Sequence, residues 1–419
     1  MLFGLSLGNY ALLYWTNIFL ARHLNIDAFD DYSVAISVVT LLSSLSTLGL
    51  EKYALRLLAL NIEREMWARL RGFCRFAIRA IVLFSLGLMA ITVLGLSSAL
   101  AWQQAPAHPA ILLYTGFLPI IALCLFLIEV ITVYGHQILA LALYRFFTPA
   151  LFLLLLLSLL DFQIEISAVS AVLCFGISWC ATLFLMIVSV QAIAPRTPDP
   201  AEASDKDKRK WLRKSLSLLV SSLMMSVLTS AGTIILEIMH PSETMVGIYA
   251  IAMQTSAWIS LIGTSTNRYY LPMLVVLLER RDRAGIKRLL NKRLRLVTGF
   301  VAIFLIAIGL WGQEILNLFG DAFVEGYPAL LICTVGTLFM TLFSDSLYYL
   351  QFMGQQRMAV GLTSLAALGM LVLSFLLGAR HGATGVAMAY ALPTLLLFST
   401  LKWLASRHMR QYLAINAPA

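Results

Sequence analysis

The chain has 419 residues, of which 60% are apolar and 12% charged, and its formal net charge is +9. Soluble domains carry about 45–50% apolar and ~25% charged residues, so the composition excludes a soluble globular enzyme and marks a membrane chain. The basic excess lies on alternate connections rather than in one patch, so it reads as orientation in a membrane and not as a nucleic-acid-binding surface.

A bilayer core takes about 20 apolar residues per helix, and the sequence holds roughly twelve such runs. The first starts near Leu2; with no basic leader or small-residue cleavage site, it reads as a retained span. Arg22 closes it, ahead of the acidic Asp27, Asp30 and Asp31. The second run starts near Tyr32 and carries Glu51 and Arg56 toward its inner end. A basic connector, "EREMWARLRGFCR", follows and is expected to lie as a short helix in the inner membrane surface, its cations reaching toward anionic lipid. Runs from Phe73, Ala110, Leu139 and Ile166 complete the first half, with Glu129 in the fourth and Arg145 in the fifth.

Between Ala194 and Ser215, "PRTPDPAEASDKDKRKWLRK" is too polar and too rich in proline to bury a core, and it reads as a flexible cytoplasmic linker. The expected organisation is an N-terminal bundle at 1–193, a linker at 194–214 and a C-terminal bundle at 215–419, about six spans on each side. The seventh run, from Ser215, contains Glu237. The eighth, from Gly247, contains "LIGTSTNRYYLPMLVV", which puts Arg268 inside a span; Gly263, the hydroxyls after it and Pro272 make the helix easier to bend, and a kink or tilt of this long span is expected. A second basic connector, "ERRDRAGIKRLLNKR", has apolar Ile286, Leu289, Leu290 and Leu294 at helical spacing and is expected to lie in the inner surface too. The last runs start near Leu296, Gly326, Met358 and Gly382, with Asp345 in the tenth. The five cysteines lie in or beside spans, without metal-ligand spacing, and read as buried apolar residues.

The halves resemble each other. Laying the chain from Tyr32 onto that from Tyr249 matches Tyr32 with Tyr249, Ala35 with Ala252, Ser43 with Ser260, Thr47 with Thr264, Tyr53 with Tyr270 and Leu57 with Leu274. "YGHQILALAL" likewise resembles "MGQQRMAVGL", and the two basic connectors resemble each other. With an even number of spans per half the repeat is parallel, and its pseudo-twofold runs along the membrane normal, a transporter layout with the substrate site between the halves. In the first register Arg268 falls on Glu51, and in the register that pairs "YGHQILALAL" with "MGQQRMAVGL" Asp345 falls on Phe126, three residues from Glu129.

Ionisable groups inside a bilayer are costly, so they line an aqueous path or pair with one another. The set here is Glu129, Arg145, Glu237, Arg268 and Asp345, with Arg22, Glu51 and Arg56 nearer the interfaces. Glu129 and Asp345 could relay a proton or cation, or could partner Arg145 or Arg268 structurally; Arg268 could equally bridge to Glu51. Of the 30 basic side chains all but Arg22, Arg380 and Arg268 lie on or beside the connections assigned to the cytoplasm, which puts both termini there. Tyr14, Trp15, Trp258, Tyr269, Tyr270, Tyr348 and Tyr349 could stack on sugar rings or serve as packing and interface anchors.

The segment "IFLARHLNIDAFDDYSVAISVV" resembles the opening of the Wzx-like polysaccharide flippases of the multidrug/oligosaccharidyl-lipid/polysaccharide (MOP) exporter superfamily, which read A-R-x-L-G-P-x-x-[FY]-G-x-Y. Ala21, Arg22, Leu24, Phe29 and Tyr32 match, whereas Asn25, Ile26 and Asp30 replace Gly, Pro and Gly. "STLGLEKYALR" is similar to the family's ending of the second span, with Gly49 and Arg56 in place. The resemblance implies an all-α, MATE/MOP-like membrane protein of two parallel six-helix bundles. It implies a non-enzymatic flippase carrying a polyprenyl-pyrophosphate-linked oligosaccharide across the bacterial inner membrane by alternating access, among membrane lipids and other polysaccharide-assembly proteins. It also implies a cationic cavity, for which Arg22, Arg56, Arg145 and Arg268, with Tyr269, are the substrate-binding candidates and Glu129 and Asp345 the residues for proton or sodium coupling. No cofactor or metal is expected. A drug or metabolite cation antiporter of the same superfamily is the alternative, and a membrane glycan ligase or polymerase a more distant one. A major-facilitator carrier would need a G-x-x-x-D-R/K-x-G-R/K-R/K connection that "EKYALRLLALNIEREMWARLRGF" lacks.

Overall fold

The structure, a computed structural model, describes residues 2–63, 65–103, 109–194, 205–239, 244–279 and 282–415. It is 92% helix, and no strand occurs among the described residues. Among the described residues eight helices are long and apolar enough to cross a membrane, or up to ten when each bent pair counts as one span. The chain divides into two compact units, Met1–Ala231 and Gly232–Ala419.

Unit 1 contains α1 (Leu2–His23), α2 (Ile26–Ser46), α3 (Leu50–Glu63), α4 (Trp67–Gln103), α5 (Pro109–Thr115), α6 (Leu118–Val133), α7 (Gln137–Ala142), a π-helical turn (Leu143–Phe147), α8 (Thr148–Asp161), α9 (Ala168–Ile193) and most of α10 (Asp205–Met239). Local chemistry sets several starts. The Asn25 side chain accepts the Ala28 amide at 2.8 Å to begin α2, and Ser167 and Ser170 exchange hydrogen bonds to begin α9. Pro119 stands in the first turn of α6, where a missing N–H costs nothing. Between α2 and α3 the backbone turns through left-handed Leu48 (φ 53°) and Gly49 (φ 68°).

The core of this unit packs α6 against α9, α3 and α4. One end of it is an aromatic cluster: Phe73 lies edge-on to Trp211 (centroids 5.2 Å) and near Tyr53 (5.9 Å) and Phe126 (6.4 Å). Trp211 is fully buried, and Arg69 on α4 pairs with Asp207 on α10 at 3.1 Å. The expected flexible linker is therefore helical from Asp205 onward and docked by Trp211; residues 195–204 lie outside the described residues.

Unit 2 holds the end of α10, then α11 (Met245–Ala257), α12 (Ser260–Glu279), α13 (Arg283–Asn317), a 3-10 turn (Asp321–Gly326), α14 (Tyr327–Phe343), α15 (Asp345–Phe352) and α16 (Gln356–Ile415). Asp282 caps α13 by accepting the Gly285 amide at 2.8 Å. α14 packs against α11, α13 and α16, and Val297 and Val301 of α13 meet Ile259 in a buried cluster.

α16 contains a reversal at Gly382 (φ 51°, ψ −131°). A Cβ built on Gly385 would fall 2.1 Å from the Leu377 carbonyl, whereas eight residues of straight helix span about 12 Å, so the element is two arms folded back on each other.

Two expectations change. The basic connectors do not form separate surface helices: "WARLRGFCR" is the start of the 37-residue α4, and "RAGIKRLLNKR" the start of the 35-residue α13. Apolar residues continue at helical spacing through both junctions, and neither contains a proline or a left-handed residue to stop the helix. The eighth run does bend, by 41°, but at Trp258–Ile259 between α11 and α12 and not at the Gly263–Pro272 stretch, which is helical.

Candidate functional site

Asn267, in the polar stretch of α12, belongs to a buried cluster centred on a residue that sequence reasoning had placed in a connector, Arg293. Arg293 and Asp345 are each 2% exposed. The guanidinium donates through Nε to Asn267 Oδ1 (3.1 Å), through Nη1 to the Leu342 carbonyl (3.2 Å) and through Nη2 to Ser344 Oγ (3.1 Å). Nη1 also stands 3.1 Å from Asp345 Oδ1, an ion-pair contact too oblique to count as a hydrogen bond.

The rest of the cluster closes around this centre. Asn267 Nδ2 donates to Ser344 Oγ (2.9 Å), Ser344 Oγ donates to the Thr341 carbonyl (3.2 Å), and Tyr349 OH donates to Asp345 Oδ2 (2.5 Å). The break between α14 and α15 at Ser344 frees the Leu342 carbonyl for the guanidinium, because no amide of a continuing helix takes it up. α12 approaches closely because Gly263 faces Thr341, where a Cβ would sit 3.0 Å from Cγ2. The cluster joins α12, α13, α14 and α15, and its formal charges cancel. A buried ion pair of this kind holds helices in register, and removing one partner leaves an uncompensated charge.

A sequence signal for Arg293 existed. On the first half of α13 the buried positions include Ile286, Arg293, Val297 and Val301, so Arg293 occupies the inward stripe, while Leu294, counted as apolar spacing, is exposed. One cation among apolar residues of one helical face is the pattern to look for.

Unit 1 is arranged differently. Arg145 lies half-buried in the π-helical turn. Pro149 explains the turn: it has no amide for the Arg145 carbonyl and its ring crowds that carbonyl, so the helix widens just upstream, with Thr148 bonding back to Leu143. Glu129, on α6, is half-buried, and Arg22, at the end of α1, is exposed; both, like Arg145, have interaction partners. Glu51 is 8% exposed in the first turn of α3, and its Oε2 finds no hydrogen-bond donor among the described residues.

The side chains of Arg56, Arg268 and Pro272 lie outside the described residues. Tyr269, next to Arg268 on α12, is exposed and packs edge-on to Tyr270 at 5.3 Å. Asp345 and its tyrosine are thus brought together with Arg293 and Asn267, within unit 2. The five cysteines are free, with Cys124, Cys174 and Cys333 buried and Cys74 and Cys180 partly so.

No protein-family profile matches this sequence, and no curated relative does. Solved structures do. An inward-facing multidrug-resistance transporter of the MATE family, in the MOP superfamily, superposes with a TM-score of 0.73 at 12% identity, over 98% of this chain and 96% of that one. The lipid II flippase MurJ in an inward closed conformation gives 0.74 at 14% identity, over 97% and 87%. A MOP-superfamily transporter from Pyrococcus furiosus, described as having a binding pocket of reversed polarity, gives 0.63 at 13% identity, over 98% and 94%. The chain is a multi-pass membrane protein with the fold of MATE/MOP transporters.

Proposed function

We propose that the protein is a lipid-linked oligosaccharide flippase, not an enzyme, which moves a polyprenyl-pyrophosphate-linked glycan from the inner to the outer leaflet of the bacterial inner membrane for surface polysaccharide synthesis. The observation that carries this reading is the fold, shared over nearly the whole chain with transporters that include a lipid flippase. In this reading twelve spans form two parallel bundles, both termini face the cytoplasm, and the halves alternate access to a cavity between them. Arg22, Arg56, Arg145 and Arg268 supply its positive charge and Tyr269 a surface for sugar.

The physical need is clear. A pyrophosphate leaving water for hydrocarbon loses several kcal/mol or more unless fixed charges replace its hydration. Arginine suits this role because it stays protonated and forks onto phosphate oxygens. Arg145 has the further support of its π-turn, an irregularity that recurs at functional sites in helical proteins.

A coupled cation antiporter is the second reading, and Glu51 is the observation that favours ion coupling in either case. Asp345 already has its countercharge in Arg293, so loading a second cation there would strand the guanidinium. Glu51 is buried with an open oxygen, and we assign coupling to it ahead of Asp345 and Glu129. The test of the main reading is a deletion strain complemented with Arg268→Ala. Surface glycan should disappear while the protein still inserts in the membrane at normal abundance, and normal surface glycan would overturn the reading.

A further inference from the structure

Unit 2 carries a second polar feature along α14. Thr334, Thr337 and Thr341, with Asp345 just past the helix end, recur at spacings that gather them within about a third of the helix circumference, and all are buried. Threonine in an apolar helix ordinarily returns its hydroxyl to a carbonyl three or four residues back, as Thr16, Thr132 and Thr363 do here. Thr334 and Thr341 do not: each Oγ1 is buried without a hydrogen-bond partner. Thr337 bonds sideways instead, to Ser256 of α11 (3.2 Å) and to Tyr390 OH of α16 (3.1 Å).

The neighbouring helices add groups of the same kind. Thr394, one turn beyond Tyr390, is buried with an unpartnered hydroxyl, and so is Tyr249 on α11, whose OH lies where a Cβ on Gly232 would meet it at 2.6 Å. Contacts between α11–α12 and α14 advance together: Ile248 meets Gly326, Ser256 meets Thr337, Gly263 meets Thr341 and Asn267 meets Ser344. The helices therefore run parallel, and the hydroxyls are ordered along one axis from the level of Tyr249 to that of Asp345.

Unpartnered buried hydroxyls are rare in native interiors because each forfeits its bonds to water without replacement. Their alignment on one axis needs a common explanation. We propose that this seam is a water-binding site, a file of ordered waters held between α11, α14 and the second arm of α16. Water is the ligand the chemistry fits. The lining hydroxyls both donate and accept but carry no charge, and Arg293 at the inner end disfavours a metal cation. Gly336 lies so close to Tyr390 and Ala391 that a Cβ would meet them at 2.8 and 3.0 Å, which leaves little room for a larger solute. Successive hydroxyls one helical turn apart, about 5 Å, are the separation a single water bridges. The file would hydrate the Tyr349–Asp345–Arg293 cluster from within the unit.

Two measurements on the full-length protein in phospholipid nanodiscs test this. X-ray radiolytic labelling in oxygen-18 water marks side chains beside bound water, so buried Tyr249 and Tyr390 should label several-fold faster than Phe126 and Phe152, which are buried in unit 1. Thr334→Val and Thr341→Val should each lower Tm, since valine keeps the shape and removes a ligand of the water; in a dry seam the same change would relieve an unpartnered hydroxyl and raise Tm. Tyrosine labelling no faster than the phenylalanines, or a Tm that stays or rises in either variant, overturns the proposal. Neither readout involves substrate, so failure of the glycan-export test leaves them standing.

Discussion

At Gly49 two demands fall on one residue. Its φ of 68° is left-handed, and a Cβ there would lie 2.4 Å from the Ser215 carbonyl and 2.7 Å from the Leu219 amide of α10. Both obstacles are backbone and cannot rotate away. We expect Gly49→Ala to cost about 3 kcal/mol or more, combining left-handed strain with overpacking. Gly87→Ala on α4, with nothing within 4 Å, should be neutral or slightly stabilising. Thermal unfolding of both variants in detergent checks the contrast, and equal losses would refute it. The sequence marked Gly49 as part of a motif, but not its contact with a helix far along the chain, because close approach is a property of packing. Arg293 makes the same point from the other side: its place on an apolar stripe was legible, whereas its partners Asn267, Ser344 and Asp345 became neighbours only through folding.

Among elements, the informative comparison is between α13–α15 and their counterparts in unit 1. The register that lays Asp345 on Phe126 lays Arg293 on Cys74, next to Phe73, and Phe73 and Phe126 pack with centroids 6.4 Å apart. One unit joins these helices with an ion pair and the other with aromatic rings. Breaking a buried pair by removing one partner typically costs about 3–5 kcal/mol, while replacing both by apolar residues is often neutral. Asp345→Leu alone should therefore destabilise unit 2 by that amount, and adding Arg293→Met should restore most of it, read as a double-mutant cycle in thermal unfolding. Strict additivity of the two losses would show that the pair does not couple the helices. The continuity of α4 and α13 belongs to this scale too. Their basic beginnings read as surface helices because charge density was weighed over uninterrupted helical spacing, and the absence of any stop residue decided the outcome.

For the whole molecule, the distribution of countercharge governs what can be coupled to transport. Asp345 is neutralised within unit 2, and Glu129 has a partner, while Glu51 keeps an open buried oxygen. Glu51→Gln should leave Tm unchanged or higher, because it removes a buried charge whose Oε2 accepts no hydrogen bond from the described residues. It should also abolish the dependence of substrate movement on an imposed proton or sodium gradient in proteoliposomes. Coupling that survives the change would move the role elsewhere. By itself the sequence determined the helical membrane class, because the length and polarity of apolar runs are local quantities. It also drew attention to the polar stretch of α12. Only the tertiary structure decided that Asn267 in that stretch is held by Arg293 and Ser344, that the chain bends at Trp258–Ile259, and that Asp345 is already paired. Each of these depends on groups brought together from different helices, and the cost of burying charge is settled by such neighbours, not by position along the chain.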